Sequence, residues 1–156
     1  MKKLALIVIS ILCVLFIFSN SSKSGEESNI KSKSIVNKIV DKIEEKVENN
    51  SIKKININKN KLNLLLRKAA HALEFLMLAI VVALVLENFG IKGKNAIIYI
   101  LFIVLLVGVL DEFYQLYIPG RTSSVRDVLI DFSGGILGTT IFFILRIPLS
   151  LKNFNK

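Results

Sequence analysis

The residues of this chain that could do chemistry are concentrated in a few short charged segments. They combine one histidine with several carboxylates, two arginines and an amide. Four are candidates for catalysis: His71, Glu74, Asp111 and Glu112. Five others are candidates for ligand binding: Arg67, Gln115, Arg121, Asp127 and Asp131. A histidine or a carboxylate can act as a general base, and an arginine can hold a phosphate or carboxylate through two parallel hydrogen bonds.

The same residues do not predict a metal site. His71 and Glu74 share a helical face, and Asp111 with Glu112 could complete a set of ligands. However, the chain has a single histidine, whereas zinc sites are usually built from several histidines and cysteines. A hydrogen bond between His71 and Glu74 is therefore the favoured interpretation, and neither a metal nor an organic cofactor is expected.

Four apolar blocks position these residues, at 4–18, 62–86, 96–110 and 125–145. Hydrophobic residues make up 53% of the chain and gather in these blocks, as in membrane proteins. The uncharged part of the second block, residues 75–86, reaches only about 18 Å, well short of the roughly 30 Å hydrocarbon core. The third block is also short, so both helices must draw charged residues into or near the membrane. We expect an all-α integral membrane bundle of about four transmembrane helices.

The alternating direction of these helices predicts that their charged ends meet. The second helix enters the membrane at its charged end, the third leaves at its charged end, and the fourth enters at its charged end. All three ends must therefore lie on one side. A rotation of 100° per residue also gives each helix one polar face, which turns inward in a lipid environment. On the fourth helix, Gly134 and Gly138 have the spacing that lets two helices approach closely.

The chain before this core divides into two parts. Residues 1–22 hold a basic head and an apolar run, and they fit a retained signal anchor better than a cleaved signal peptide because no A-x-A-like site follows. Residues 23–61 form a polar segment that we expect to be exported. Within it, residues 35–47 carry apolar side chains at helical spacing, which predicts one interfacial amphipathic helix. Residues 62–150 then form a three-helix membrane core.

The formal net charge of +9 indicates an anionic partner. Basic residues do not alternate with aromatic ones as they do on nucleic-acid-binding surfaces, so we expect membrane lipids rather than nucleic acid. The basic head predicts a multi-pass protein of the cell membrane with a cytoplasmic N-terminus and the charged cluster outside. The lysine-rich exported segment opposes this orientation in a simple positive-inside count, whereas Lys92, Lys94 and Lys152 support it.

Several segments of the chain resemble the VanZ-like membrane protein family. They stand in the family's order and cover almost the whole sequence: FSNSS at 18–22, RKAAHALEF at 67–75, DEFYQ at 111–115, PGR at 119–121 and DVLIDFSG at 127–134. The resemblance implies a bacterial envelope protein, because the family's namesake is associated with low-level resistance to the glycopeptide teicoplanin. It also implies that the candidate residues named above are the positions that matter, although it supplies no mechanism.

Three functions remain open. The favoured one is a non-enzymatic envelope protein that modulates glycopeptide susceptibility through a charged pocket, with a lipid-linked wall precursor or the glycopeptide itself as partner. A membrane enzyme acting on a lipid-linked or phosphate-bearing substrate is the alternative, but the sequence has no nucleophile elbow or phosphate-binding loop. A proton-coupled carrier is the third. The remaining alternative is that the charged residues form an ion network that only stabilises the bundle and has no binding or catalytic role.

Overall fold

The computed structural model of the chain describes residues 2–49 and 58–154, and this part consists of five α-helices. They are α1 (Lys2–Ser21), α2 (Gly25–Asn49), α3 (Lys59–Asn88), α4 (Gly93–Gln115) and α5 (Val125–Phe154). Four of these helices are long and apolar enough to cross a membrane: α1, α3, α4 and the Val125–Arg146 part of α5. The predicted all-α bundle with four membrane spans is therefore confirmed, and the chain is a multi-pass membrane protein.

The ends of the helices follow from local sequence. Asn58 caps α3, because its side chain accepts a hydrogen bond from the backbone N–H of Lys61 at 3.1 Å. Helix α3 closes with a tight turn in which Gly90 has φ of +83°, a conformation that glycine adopts without strain. Helix α4 continues past the apolar block to Gln115, as its short uncharged length predicted. Ser124 precedes α5 and accepts a hydrogen bond from the N–H of Arg126 at 3.1 Å.

Helix α3 is the central element and contacts each of the other four helices. Its buried residues Phe75 and Leu78 join one core with Ile17 of α1 and with Ile100 and Val104 of α4. Many large apolar side chains on the outer faces of the helices are exposed. A bundle that buries its centre and leaves an apolar surface outside is the arrangement expected in a lipid environment.

Two glycines allow α5 to pack closely along α3. Gly134 and Gly138 are buried. A methyl group added at Gly134 would overlap the backbone carbonyl of Ala72, and one added at Gly138 would overlap that of Leu76. The close approach expected from this spacing of small residues is therefore present.

The amphipathic helix expected over residues 35–47 lies within α2, which packs against α3. Its apolar stripe is divided between two environments. Val36 and Val40 are buried, whereas Ile35, Ile39 and Ile43 stay exposed. Helix α2 thus buries one edge of its apolar face against the bundle, and the other edge remains exposed.

Candidate functional site

The charged halves of three helices meet at one end of the bundle, together with the end of α1. The second half of α4, the first half of α3 and the start of α5 bring their acidic and basic residues into the same region. The end of α1 reaches this region through two hydrogen bonds, which Asn20 and Ser21 donate to acidic residues of other helices. The convergence of the three charged ends, expected from helix direction, is therefore present in the structure.

Asp111 lies at the centre of this region and is fully buried. Its Oδ2 accepts a hydrogen bond from Ser21 Oγ at 2.8 Å and another from Gln115 Nε2 at 2.7 Å. Its Oδ1 has no hydrogen-bond partner. Gly108, Asp111 and Gln115 share one face of α4, as their helical spacing predicted, and all three are buried. One oxygen of a buried carboxylate is thus held in place while the other is left free.

Glu74 of α3 is the second acidic residue that accepts a hydrogen bond from α1. Its Oε1 accepts a hydrogen bond from Asn20 Nδ2 at 2.7 Å, and Asn20 Oδ1 in turn accepts one from Lys23 Nζ at 2.5 Å. Glu74 Oε2 lies 3.7 Å from His71 Nδ1. Both of these atoms are buried and without a hydrogen-bond partner. The expected neighbourhood of His71 and Glu74 is present, but at 3.7 Å the pair does not form a hydrogen bond.

Glu112 holds the loop that leads into α5. Its Oε2 accepts a hydrogen bond from the backbone N–H of Ser124 at 2.8 Å, just before the first turn of α5. A carboxylate is stabilised at this position because the N-terminus of a helix carries partial positive charge. Glu112 therefore fixes the start of α5 relative to α4.

Arg121 joins the same loop to the connection between α1 and α2. It donates hydrogen bonds from Nε to the carbonyl of Lys23 at 3.1 Å and from Nη2 to the carbonyl of Asn20 at 3.4 Å. The backbone also takes part, because Gly25 donates its N–H to the carbonyl of Pro119 at 3.0 Å. Burial, followed by the neighbouring charge of Arg67, lowers the pKa of the Arg121 guanidinium below its ordinary value. An arginine in a protein nevertheless stays protonated, so the site keeps this positive charge.

Two further basic residues of the region, Arg67 and Lys68, differ in their pairing. Lys68 Nζ forms an ion pair with Asp127 Oδ1 at 2.7 Å, so these two charges neutralise each other. Arg67 has neither a hydrogen bond nor an ion pair to any residue of the described part of the chain. Arg67 is therefore a cation whose charge is available to a ligand.

Two cavities open beside these residues. The first has a volume of about 160 Å³ and lies between α3, the α4–α5 loop and α5. The second, of about 290 Å³, lies between α1, α2 and α3. Arg67, His71 and Arg121 line both cavities, so they form a shared wall between them. Glu112, Gln115, Asp127 and Asp131 line the first cavity, and Glu74 lines the second.

Three acidic residues form a compact group beside the first cavity. Asp111, Glu112 and Asp131 are all buried, and one carboxylate oxygen from each lies within 4.8 Å of the others. Two of them, Glu112 and Asp131, line the first cavity together with Arg67 and Arg121, so this cavity contains both acidic and basic side chains. All nine residues singled out in the sequence come together at this end of the bundle.

The end of α1 and the residues just after it contribute to the site, which the sequence pattern did not predict. Asn20, Ser21 and Lys23 all contact the site through side-chain or backbone groups. Their signal is the polar run that follows the first apolar block, a pattern equally typical of the flank of an anchor or signal peptide. A polar run at the end of a membrane helix can equally supply hydrogen-bond donors to buried carboxylates.

The comparisons with known proteins agree with this architecture. A model of the VanZ/LLP1 family matches residues 6–146, which include the end of α1, the whole of α2 and the charged region. Searches of curated proteins and of solved structures gave no match. Since the family match covers most of the sequence, the chain belongs to the VanZ/LLP1 family.

Proposed function

We propose that this chain is a bacterial cell-envelope protein that modulates susceptibility to the glycopeptide teicoplanin by binding a phosphate-bearing lipid headgroup. Family membership supports the role in the envelope. The observation that carries the choice of ligand is the shared wall of the two cavities, where Arg67 and Arg121 stand without a carboxylate partner among the described residues.

Two arginines in this setting favour an anionic ligand. A buried or half-buried guanidinium is normally paired with a carboxylate, because leaving it unpaired sacrifices favourable electrostatic interactions. Arg121 donates only to backbone carbonyls among the described residues, and Arg67 has no partner there. Phosphate suits such a pair well, since each guanidinium can donate two parallel hydrogen bonds to it.

The size and position of the cavities favour a lipid headgroup over the glycopeptide itself. Volumes of about 160 and 290 Å³ admit a phosphate group with a few water molecules, but not a whole glycopeptide. The site also lies at one end of the membrane-spanning helices. A lipid-linked wall precursor could place its phosphates there while its hydrocarbon chain remains in the bilayer.

We infer that the site faces the outside of the cell. Lys2 and Lys3 begin α1, and Lys92 and Lys94 lie at the start of α4 at the same end of the bundle. Basic residues of this kind concentrate on the cytoplasmic side of membrane proteins. The opposite end, with Arg67 and Arg121, would then meet envelope lipids in the outer leaflet.

The first experiment measures teicoplanin susceptibility in cells that lack the gene and carry a plasmid copy of it. Arg67→Gln should lower resistance to the level of cells without the gene, while membrane amounts of the protein stay unchanged. Arg126→Gln is the matched control, because Arg126 is exposed and lines neither cavity. Resistance that is equal in both variants and in the wild type would contradict the proposal.

The second experiment measures binding directly. Purified protein in detergent is titrated with a short-chain polyprenyl diphosphate and, separately, with the uncharged polyprenol. We expect binding of the diphosphate only, weakened about tenfold or more by Arg67→Gln, because a hydrogen bond between charged groups contributes about 1.5–3 kcal/mol. Equal binding of the uncharged alcohol would show that the site does not recognise phosphate and would contradict the proposal.

An enzymatic role is the second candidate, and one observation favours it. His71 Nδ1 and Glu74 Oε2 are both buried and unpartnered, and His71 lines both cavities beside the two arginines. A histidine next to a carboxylate can take a proton from water or from a hydroxyl group of a substrate. A headgroup held by Arg67 would lie within reach of this base.

The enzymatic candidate predicts turnover as well as binding. Purified protein should convert a phosphate-bearing lipid, such as the polyprenyl diphosphate, and His71→Ala and Glu74→Gln should abolish the conversion without abolishing binding. Binding without turnover in the wild-type protein would leave the non-enzymatic function as the better one. Turnover that survives in both variants would exclude these two residues as its catalytic groups.

A further inference from the structure

We propose that Asp111, Glu112 and Asp131 bind one divalent cation of the oxygen-preferring class, such as Mg²⁺, Ca²⁺ or Mn²⁺. The three carboxylates belong to two helices, α4 and α5; Glu112 and Asp131 line the first cavity, and the fully buried Asp111 lies close to both. The proposal departs from the expectation of no metal, because the single histidine is not needed for a site built from carboxylates.

The spacing of the carboxylates suits such an ion. Two oxygens bound to one cation are separated by no more than twice the metal–oxygen distance, which is about 4.2 Å for Mg²⁺ and about 5 Å for Ca²⁺. One oxygen from each of Asp111, Glu112 and Asp131 lies within 4.8 Å of the others. The group is therefore compact enough that small movements of the three side chains would bring all three oxygens to the metal–oxygen distance of one such cation.

A second observation, independent of the clustering, is the free oxygen of Asp111. This residue is 0% exposed, and its Oδ1 has no hydrogen-bond partner. Its Oδ2 is held by Ser21 and Gln115, which orients the carboxylate as the outer neighbours of metal ligands do. A buried carboxylate oxygen without a donor is costly. A cation would satisfy it.

Asp131 also receives no hydrogen bond on its carboxylate from the described residues. It is 2% exposed and lines the first cavity. It packs over Gly108, where its Cβ would lie 3.8 Å from a methyl group added to that glycine. Glycine at this position therefore leaves room for the Asp131 side chain against α4. One oxygen of Asp111 and the carboxylate of Asp131 thus have no hydrogen-bond donor among the described residues.

No neighbouring cation forms an ion pair with these carboxylates among the described residues. Lys68 is paired with Asp127, Arg121 donates to the carbonyls of Lys23 and Asn20, and Arg67 forms no ion pair there. Three carboxylates at such short distances repel one another strongly in a buried site. A divalent cation would relieve this repulsion. The first cavity, which Glu112 and Asp131 line, gives the ion an entry path and room for bound water.

This site does not depend on the headgroup proposed above, because cation binding can be measured without any lipid. The two ideas are compatible, since a cation held by these carboxylates would add positive charge beside a cavity that Arg67 and Arg121 also line. A result that excludes the cation site would not affect the headgroup proposal, and a result that excludes headgroup binding would not affect the cation site.

The experiment uses the full-length protein purified in detergent and freed of metal with a chelator. Mn²⁺ is added while the signal of free Mn²⁺ is followed by electron paramagnetic resonance, and the midpoint of thermal unfolding is measured with and without Mn²⁺, Mg²⁺ or Ca²⁺. We expect one Mn²⁺ per chain and an ion-dependent rise of the midpoint, because a ligand that binds only the folded state stabilises it.

Asp131→Asn is the decisive variant, and Asp41→Asn is its matched control. Asp41 is an exposed aspartate of α2, and its one ion-pair contact with the described residues is to Lys59 at 4.0 Å. Asp131→Asn should weaken Mn²⁺ binding about tenfold or more by removing a charged ligand, whereas Asp41→Asn should not change it. Without ions, Asp131→Asn should unfold at the same temperature as the wild type or higher, because it removes a like charge.

The wild-type protein alone can overturn the proposal. If saturating Mn²⁺, Mg²⁺ and Ca²⁺ all leave its unfolding midpoint unchanged and no free Mn²⁺ is lost, the carboxylates share protons instead of a metal. Mn²⁺ binding that is identical in the wild type and in Asp131→Asn would place the ion elsewhere and would also overturn it.

Discussion

At the scale of single residues, the buried carboxylates depend on donors from other helices. Asp111 is the clearest example, since its bound oxygen is fixed by a serine of α1 and a glutamine of its own helix. Such hydrogen bonds stabilise a membrane bundle because lipid supplies no water to replace the lost donor. Residues outside the acidic group can therefore determine how the group is arranged.

The hydrogen bond from Ser21 to Asp111 gives a residue-scale prediction. Ser21→Ala should lower the free energy of unfolding by about 1 kcal/mol, because it removes a donor to a buried carboxylate. Ser22→Ala is the matched control, since Ser22 is exposed and donates only to the backbone carbonyl of Ser19. Unfolding in detergent micelles, followed by circular dichroism, measures both. Equal stability of the two variants would show that the bond contributes nothing.

At the scale of the helices, the position of the site depends on the packing of α5 against α3. The buried glycines of α5 bring its first turns close to α3, so that Asp127 reaches Lys68 and Asp131 reaches the acids of α4. A shift of α5 away from α3 would separate these groups even if every charged residue were kept.

A substitution at Gly138 tests this packing. Gly138→Ala should destabilise the bundle by about 1–3 kcal/mol, because the added methyl group would overlap the backbone carbonyl of Leu76 and helix backbone cannot yield cheaply. Ser133→Ala, on the exposed face of the same helix, should change the stability by less than about 0.5 kcal/mol. The same unfolding assay compares them, and an equally stable Gly138→Ala variant would mean that the two helices are not in close contact.

At the scale of the whole molecule, the bundle has two chemically different ends. The site occupies one end, and the other is closed by an ion pair of Arg146 with Glu87 at 2.5 Å and by Lys3 over the ring of Phe89 at 5.0 Å. Arg67 and Arg121, which have no carboxylate partner among the described residues, lie at the first end. Which end faces the outside therefore decides which lipids can reach the site.

Cysteine labelling tests the proposed orientation. In a Cys13→Ala background, Lys38→Cys in α2 should react with a membrane-impermeant maleimide in intact cells. Lys94→Cys, at the start of α4, should react only after the cells are lysed. Both lysines are exposed, so access to the reagent is set by the membrane alone. The reverse labelling pattern would turn the site toward the cytoplasm and require an inner-leaflet ligand.

The sequence by itself determined the helices and the end of the bundle at which the charges collect. Apolar blocks of sufficient length must become helices in lipid, and an uncharged stretch that is too short must bring its charged neighbours with it. Helix direction then places those charged ends on one side, and the 3.6-residue repeat assigns residues such as Asp111 and Gln115 to one face. These are local or topological constraints, so they can be predicted without knowing how the helices pack.

Only the tertiary structure decided which of the charged residues are paired. Lys68 pairs with Asp127, whereas Arg67 has no partner among the described residues. This difference depends on distances between helices. So do the grouping of Asp131 with two acids of α4 and the contribution of Asn20 and Ser21 from the first helix. Sequence spacing relates residues along one helix, whereas a hydrogen bond or a metal site between helices is set by rotation, crossing angle and close approach.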